Sequence, residues 1–511
     1  MDRDTDRLQF ARDEFLGELR REERRDLLMR KQIFYAADKE KNSSMDQEND
    51  NQITPLLSVY GEMAQSLSDT IKEALKEKPD LTLAHNYLQA LVSGNLHEQH
   101  KAIVLIRKMT STEVDEGCEA LYYADGIPIL IELAKRDDIP YLQMEANWTL
   151  ANFCSRSEHV VRKVVERGLI PIFLQNVSKP SRHLAEQCVW GIGNLAADCQ
   201  EYAEVMHSHN AVALLVEFYG KIKTDNKGLA RQVIWSCSNL CRIKPTPALD
   251  KTAPAFDMFV ETLKSADRDE VKVNCVWSLR AIVAKMGDNL EPLVTSGLMP
   301  TIVNLLHSSH AQIVQPALDI VGHLTSKRPD QTKELIKLGL VSGVDSVLSQ
   351  HAKSLKQRGM MVLANVASGD SDDVEQILSC RSVLMSIFNF STSDIPQLSE
   401  NAIWVLGNMC MSGNFRQVER LLDMKLLEAV SHILHMASPT DSLLCMTLET
   451  LEAICKSAKD ESERHFDLLM EAIEKQGMIA PLEKLQDSNS SKLYQKAYSL
   501  ITTYFQTETY F

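Results

Sequence analysis

Glycine and proline are scarce in this chain, with 20 and 16 residues among 511. Leucine and alanine instead recur at helical spacing throughout, so the composition favours an all-α protein. No apolar run approaches the ~20 residues that a membrane-spanning helix needs. We therefore expect a helical protein that does not insert into a membrane.

Sequence motifs for catalysis are also missing. The chain has no Gly-rich phosphate loop, no HExxH pair and no nucleophile elbow, so we expect neither an enzyme nor a cofactor. The 11 cysteines lie mostly in apolar helical stretches, and the close pair Cys237 and Cys241 has no second Cys/His pair at zinc-like spacing. Buried thiols in a reducing compartment, and no metal site, are therefore expected.

Acidic side chains outnumber basic ones by 70 to 55, which gives a formal net charge of −15. An acidic surface repels nucleic acid phosphates and suits a basic partner. The charged start MDRDTDRLQF lacks the apolar segment of a signal peptide. These features predict a soluble intracellular protein that does not bind nucleic acid directly.

The first 80 residues form two predicted regions. Residues 1–41 have a charge-dense helical pattern, which suits either a solvated helix with i,i+4 pairs or a basic arm on an acidic partner. Composition alone does not separate these alternatives. Residues 42–80 are predicted to be a linker, polar and acidic over 42–54, with an extra helical segment over 59–78. The basic residues of the first region are Arg20, Arg21, Arg24, Arg25, Arg30 and Lys31.

From about Leu81 the sequence becomes periodic. One position recurs at steps of 42 to 45 residues (148 to 190, 190 to 235), and Gly-x-x-Pro breaks such as Gly168 to Pro171 separate the helices. A three-helix unit of ~40–47 residues is the armadillo/HEAT period. Residues 81–511 are therefore predicted to form about nine or ten armadillo repeats, stacked as a right-handed superhelical solenoid with a long groove. The recurring residues are Trp148, Trp190, Trp235, Trp277, Asp319, Met361 and Trp404.

One helix, LAEQCVWGIGNLAAD from Leu184 to Asp198, shows what the groove presents. At ~100° per residue its aliphatic side chains gather on one side, opposite a polar stripe of Gln187, Trp190, Asn194 and Asp198. We predict that Trp190 points away from the core, with packing between repeats as the alternative. The same separation is predicted for Trp148 with Asn152, Trp235 with Asn239, and Trp404 with Asn408.

Such a ladder suits one kind of ligand. Indoles one repeat apart make slots for the methylene stem of lysine or arginine, with cation–π attraction to the head group. Asparagine can hold the N–H and C=O of an extended peptide, and a carboxylate such as Asp198 can pair with an ammonium group. Together these side chains predict binding of an extended basic peptide.

The motifs EQCVWGIGNLAAD, NWTLANF, IWSCSNLCR and IWVLGN resemble those of importin-α, the adaptor that recognises nuclear localisation signals. The similarity runs from about residue 88 to the C-terminal KLYQKAYSLITTYF. It implies a minor signal site at Asn365, Trp404 and Asn408. It implies a major signal site at Trp148, Asn152, Gln187, Trp190, Asn194, Asp198, Trp235 and Asn239.

The segment GELRREERRDLLMRKQIF is similar to the family's importin-β-binding helix, which docks on an acidic face of that receptor. The resemblance implies a nuclear import adaptor that shuttles between cytoplasm and nucleus. Its expected partners are importin-β, proteins with basic signals, nucleoporins and the nuclear export receptor for importin-α. A catenin-type scaffold that binds extended peptide tails is the alternative, although such a protein would want a Lys/Arg-rich groove.

The sequence departs from the family pattern at several positions. Asp319 stands where the family usually has arginine, and Arg156 replaces a glycine beside the major site, which predicts an added positive charge there. The linker also has no KRR-like cluster. In the same repeat as Asp319, His323 replaces the asparagine. The minor site lacks one indole and one carboxylate, because Met361 replaces tryptophan and Asn401 replaces glutamate.

Overall fold

A computed structural model describes residues 79–111, 115–393, 395–488 and 490–505. Within these ranges the chain is α-helical and contains no β-strand. The predictions for residues 1–41 and for the helical segment 59–78 lie outside the described residues. The chain divides into two compact units, Met1–Pro247 and Ala248–Phe511, called unit 1 and unit 2.

The described part of unit 1 consists of 11 helices. They are α1 (Leu81–Leu91), α2 (Leu96–Thr110), α3 (Glu116–Tyr123), α4 (Ile127–Ala134), α5 (Pro140–Phe153), α6 (Glu158–Glu166), α7 (Leu169–Val177), α8 (Arg182–Asp198), α9 (Gln200–Ser208), α10 (Ala211–Ile222) and α11 (Lys227–Arg242).

The described part of unit 2 continues the same pattern. Short 3₁₀ turns lie at Ala253–Ala255 and Leu485–Asp487, and a π-helical turn at Ile501–Phe505. The α-helices are α12 (Leu249–Thr252), α13 (Phe256–Ser265), α14 (Asp269–Lys285), α15 (Glu291–Thr295), α16 (Met299–Leu305), α17 (Ala311–Lys327), α18 (Pro329–Lys337), α19 (Leu340–Leu348), α20 (Lys353–Ala367), α21 (Ser371–Leu378), α22 (Arg381–Ser391), α23 (Pro396–Ser412), α24 (Phe415–Asp423), α25 (Leu426–Leu434), α26 (Asp441–Glu461), α27 (Glu463–Lys475), α28 (Ile479–Lys484) and α29 (Ser491–Leu500).

From α3 onward the helices form consecutive triplets in which the third helix is generally the longest, as in α6, α7 and α8. Within each unit, third helices of neighbouring triplets pack side by side, for example α8 between α5 and α11, and α20 against α23. The predicted all-α armadillo-repeat fold is thereby confirmed. Each triplet buries its apolar faces against the next, as a solenoid requires.

Capping side chains and residues in the left-handed conformation mark where the helices begin and end. Ser181 caps α8 by accepting a hydrogen bond from the backbone N–H of Leu184 at 3.3 Å, which satisfies one free donor of the first turn. The break before α7 uses Gly168 at φ +82°, in the left-handed region that glycine adopts without strain. At the corresponding break before α4, which contains Gly126, the left-handed residue is instead Asp125, at φ 53°.

Helix α8 is packed on all sides. Every residue from Gln187 to Ala196 is buried, and two glycines explain how neighbours come so close. A Cβ atom at Gly191 would overlap the ring of Phe173 from α7, and one at Gly193 would overlap the ring of Trp235 from α11. The absence of side chains at 191 and 193 therefore admits large aromatic rings from two neighbouring helices.

The cysteines are free thiols, and nine of the 11 are buried. Burial raises the pKa of the Cys188 and Cys237 thiols well above their usual range, because a thiolate loses its hydration in an apolar core. The prediction of buried thiols is confirmed. Among the described residues, no group of three or more His, Cys, Asp or Glu side chains is arranged to hold a metal ion, and none of the helices is long and apolar enough to cross a membrane.

Substituting Gly191 tests this close packing. We expect Gly191→Ala to lower the free energy of unfolding by about 1–3 kcal/mol, because the added methyl group forces Phe173 out of place. Gly220 is the matched control, since it lies in α10 with nothing within 4 Å of an added Cβ. Gly220→Ala should raise stability by ~0.5–1 kcal/mol through helix propensity. Urea unfolding of both variants measures the difference, and equal effects would contradict the packing argument.

Candidate functional site

The residues predicted for the major signal site lie on three adjacent third helices of unit 1, called here the third-helix face of unit 1. The structure brings them onto neighbouring helices, because α8 packs against both α5 and α11. They are Trp148 and Asn152 on α5, Gln187, Trp190, Asn194 and Asp198 on α8, and Trp235 and Asn239 on α11.

The predicted exposure of the α8 stripe is wrong for three of its four residues. Trp190 is only 3% exposed, and Gln187 and Asn194 are buried as well. A single-helix projection places these side chains opposite the aliphatic ones, but α5 and α11 cover that side too. Trp190 therefore packs between repeats, and only Asp198, at the end of the helix, is exposed.

Trp148 is half-buried, and one face of its ring is covered by an arginine from the preceding third helix. The guanidinium of Arg107 lies 4.1 Å from the ring centroid, and its Nε donates to Glu145 Oε2 at 2.5 Å. Neither residue was predicted from the sequence. The spacing offered a signal, because Arg107 lies one repeat before Trp148 and Glu145 lies one helical turn before it.

The asparagines of the face link neighbouring repeats. Asn239 Nδ2 donates to the carbonyl of Gly193 at 3.0 Å, and Asn152 Nδ2 donates to the Thr110 hydroxyl at 3.1 Å. Asn194 is the exception, because neither of its buried amide atoms has a hydrogen-bond partner among the described residues. The same is true of Gln187 Oε1. Unpaired buried amides cost free energy and frequently mark a functional site.

Arg156 does not add a free positive charge beside this face, and that prediction is wrong. Its side chain is only 5% exposed. Nη2 donates to the carbonyl of Thr110 at 2.7 Å, and Nη1 lies 3.2 Å from the Asp115 carboxylate. The guanidinium is therefore neutralised inside the packing between α5 and the end of α2.

The residues predicted for the minor signal site lie on two adjacent third helices of unit 2, with Asn365 on α20 and Trp404 and Asn408 on α23. Trp404 is 40% exposed, so its predicted orientation away from the core is confirmed. Asn408 Nδ2 donates to the carbonyl of Ala364 at 2.8 Å, and Asn365 Nδ2 donates to Thr325 Oγ1 at 3.0 Å. These asparagines link repeats as Asn239 does in unit 1.

A charged cluster lies on the two third helices before α20 and on α20 itself. Asp319 of α17 accepts a hydrogen bond from Arg280 Nε of α14 at 2.5 Å and another from Arg358 of α20. Arg280 also lies 5.4 Å from the centroid of the Trp277 ring. Asp319 stands out in the sequence, but its two arginine partners do not, because they come from other repeats.

The residues predicted to bind importin-β lie outside the described residues. They are Arg20, Arg21, Arg24, Arg25, Arg30 and Lys31.

Removing Arg107 tests the pairing at Trp148. We expect Arg107→Ala to lower the free energy of unfolding by about 3 kcal/mol, because it leaves the buried Glu145 carboxylate unpaired. The double variant with Glu145→Gln should recover most of that loss. Arg162→Ala is the control, since its pair with Glu158 is exposed and should contribute no more than about 0.5 kcal/mol. A double variant as unstable as Arg107→Ala would contradict the buried-charge argument. Chemical unfolding measures all three variants.

Known proteins resemble the chain in sequence over most of its length. It is 24% identical to importin subunit alpha-1b of Oryza sativa subsp. japonica over 424 residues, which is 82% of this chain and 78% of that protein. It is also 24% identical to importin subunit alpha-8 of Arabidopsis thaliana, over 82% of this chain and 93% of that protein. No protein-family model matches the chain.

Solved structures resemble it in fold. A crystal structure of an engineered protein aligns with a TM-score of 0.65 at 18% identity, covering 82% of this chain and 98% of its own. A structure from work on the phosphorylation switch between cadherin and β-catenin aligns with a TM-score of 0.62 at 12% identity, covering 84% and 96%. These likenesses establish the fold alone. The sequence relatives go further, because several importin-α subunits match about four-fifths of the chain at 22–25% identity, so the chain resembles the importin-α family in sequence.

Proposed function

We propose that this protein is a nuclear import adaptor. It binds a basic nuclear localisation signal on the third-helix face of unit 1 and connects that cargo to importin-β through residues 1–41. It shuttles between cytoplasm and nucleus, returning with the nuclear export receptor for importin-α and passing nucleoporins on the way. Sequence similarity to importin-α subunits over about four-fifths of the chain supports this assignment, and no direct contact with nucleic acid is part of it.

The observation that carries the proposal is the unfilled hydrogen-bonding capacity of Asn194. Its amide offers both a donor and an acceptor, which is what the backbone of an extended peptide requires. Asn194 is buried beside Gly193, on which the Trp235 ring packs. A peptide must therefore displace a neighbouring side chain to reach the amide, and rotamer changes of this kind are common at interfaces.

The aromatic and acidic groups near Asn194 define where a lysine side chain fits. Arg107 already covers one face of Trp148, so we infer that the half-buried Trp235 ring provides the main slot for a methylene stem. The exposed carboxylate of Asp198 lies one turn beyond Asn194 on α8 and attracts the ammonium group. Trp148, Asn152, Gln187, Trp190 and Asn239 complete the face.

Unit 2 contributes a second peptide site in this proposal. Trp404 is exposed, and Asn365 and Asn408 lie on the same pair of helices. The arrangement repeats the aromatic and amide pattern of unit 1 with a more open surface. A catenin-type scaffold that binds extended peptide tails is the second candidate function. Arg280 and Arg358 in unit 2 favour it, whereas the sequence relatives favour the import adaptor.

Binding of a lysine-rich peptide to the full chain tests the site in unit 1. We expect Asp198→Lys and Trp235→Ala each to weaken binding by about 2 kcal/mol, because they remove the counter-charge and the aromatic slot. Glu217→Lys is the matched control, since Glu217 is exposed on the second helix α10 and makes only an i,i+4 pair. Fluorescence anisotropy measures the affinities. Absence of binding, or equal affinity for all variants, would exclude this site.

Deleting residues 1–41 tests the link to importin-β. We expect the deletion to abolish binding of importin-β, because it removes the six basic residues from Arg20 to Lys31 that would pair with an acidic receptor face. The affinity for the lysine-rich peptide should stay unchanged. Size-exclusion chromatography of the mixed proteins gives the result, and a complex formed by the truncated chain would refute the assignment of this segment.

A further inference from the structure

The third-helix face of unit 2, formed by α14, α17, α20 and α23, differs in charge from a site for basic peptides. Its central cluster combines the Asp319 carboxylate with the guanidiniums of Arg280 and Arg358, and both carboxylate oxygens accept hydrogen bonds from these arginines. The side chain of Asp319 is 13% exposed, whereas those of Arg280 and Arg358 are each about one-third exposed. One carboxylate between two guanidiniums leaves a net positive charge, carried by the more exposed partners.

The aromatic slot beside this cluster is also occupied by the chain's own groups. The Arg280 guanidinium lies over the Trp277 ring, and the indole N–H of Trp277 donates to the carbonyl of Gln312 at 2.8 Å. A lysine from a peptide would compete with Arg280 for the ring and be repelled by its charge. The slot is therefore unsuited to a cationic ligand.

Next to the cluster the face becomes apolar. Met361 follows Arg358 by one turn of α20 and is 58% exposed, and Trp404 is exposed on the adjacent helix α23. Met411 extends this exposed surface two turns further along α23. Flexible methionines beside an aromatic ring adapt to large apolar side chains, and exposed apolar side chains on adjacent helices are typical of binding surfaces.

Hydrogen-bonding groups for a peptide backbone lie along the same strip. Asn365 and Asn408 each follow the exposed apolar residue of their helix by one turn, and their Nδ2 atoms donate across repeats. His323 occupies the same position on α17, where its buried Nε2 has no hydrogen-bond partner among the described residues. The face thus combines backbone-binding groups with a positive end and an apolar end.

We propose that this face binds an extended peptide in which acidic side chains lie next to large apolar ones, and that it rejects lysine-rich signals. The acidic side chain pairs with the free donors of Arg358 and Arg280, since each guanidinium has five N–H groups and Asp319 uses only part of them. The apolar side chain packs on Met361 and Trp404. The inference rests on the proposed function, because it defines the ligand of the second peptide site.

Two fluorescein-labelled peptides with the full chain provide the test. One is Gly-Glu-Glu-Leu-Phe-Gly, and the other has lysine in place of both glutamates. We expect the acidic peptide to bind, and we expect Arg358→Glu to lower its affinity by at least about tenfold. Arg381 is an exposed arginine of the second helix α22. As the control, Arg381→Glu should leave the affinity for the acidic peptide unchanged. Higher salt should weaken the acidic peptide's binding, because the ionic contacts are partly exposed.

A second pair of variants leaves the charged cluster intact, in case Arg358→Glu perturbs folding by facing Asp319. Met361→Ala should lower the affinity for the acidic peptide severalfold. Met385 is a similarly exposed methionine on α22, and Met385→Ala should leave that affinity unchanged. Failure of the acidic peptide to bind, or no loss in both Arg358→Glu and Met361→Ala, would overturn the inference. The inference would also be overturned if Arg358→Glu lowered the affinity for the lysine peptide.

The result is separable from the proposed basic site in unit 1. Trp235→Ala and Asp198→Lys should leave the affinity for the acidic peptide unchanged, since both residues belong to unit 1. A chain that binds the acidic peptide but no lysine-rich peptide would support this inference and refute the basic site. The opposite pattern would refute only the inference.

Discussion

Hydrogen bonds from one repeat to the one before it hold the third helices in register. The amide nitrogen of Asn239 donates to the backbone carbonyl of Gly193, and Asn408 donates likewise to Ala364. Each bond satisfies a half-buried side-chain donor and sets the neighbouring helices side by side. The residues that stack the repeats are also the residues that contact the peptide in the proposed function. Asn194 is the member of this set that has no side-chain hydrogen bond within the described part of the chain.

Arginines of the chain itself lie over two of the tryptophan rings and so limit which ligands these rings can bind. Arg107 covers Trp148 in unit 1, and Arg280 lies over Trp277 in unit 2. In both cases a carboxylate from a neighbouring helix pairs with the arginine. Glu145 pairs with Arg107, and Asp319 pairs with Arg280. Such anchored guanidiniums occupy the sites that a ligand cation would otherwise take.

The two units differ in the residues that recur along their third helices. Importin-α subunits match about four-fifths of the chain at about 24% identity. Unit 1 keeps the tryptophan and asparagine register, whereas unit 2 replaces members of it with Asp319, His323 and Met361. Because a solenoid adds its repeats by similar nearest-neighbour packing, the surface of one unit can change its chemistry while the fold is retained.

The sequence by itself determined the helical class, the repeat period, the free buried cysteines and the helix on which each candidate residue lies. These depend on local periodicity, which a single chain displays directly. The tertiary structure alone decided that Trp190 is buried while Trp404 is exposed, and that Arg107 covers Trp148. Exposure depends on how closely the next helix approaches, and glycines at 191 and 193 permit an approach that the wheel of one helix cannot reveal. The arginine partners come from repeats about 40 residues away, so only the stacked helices bring their charges together.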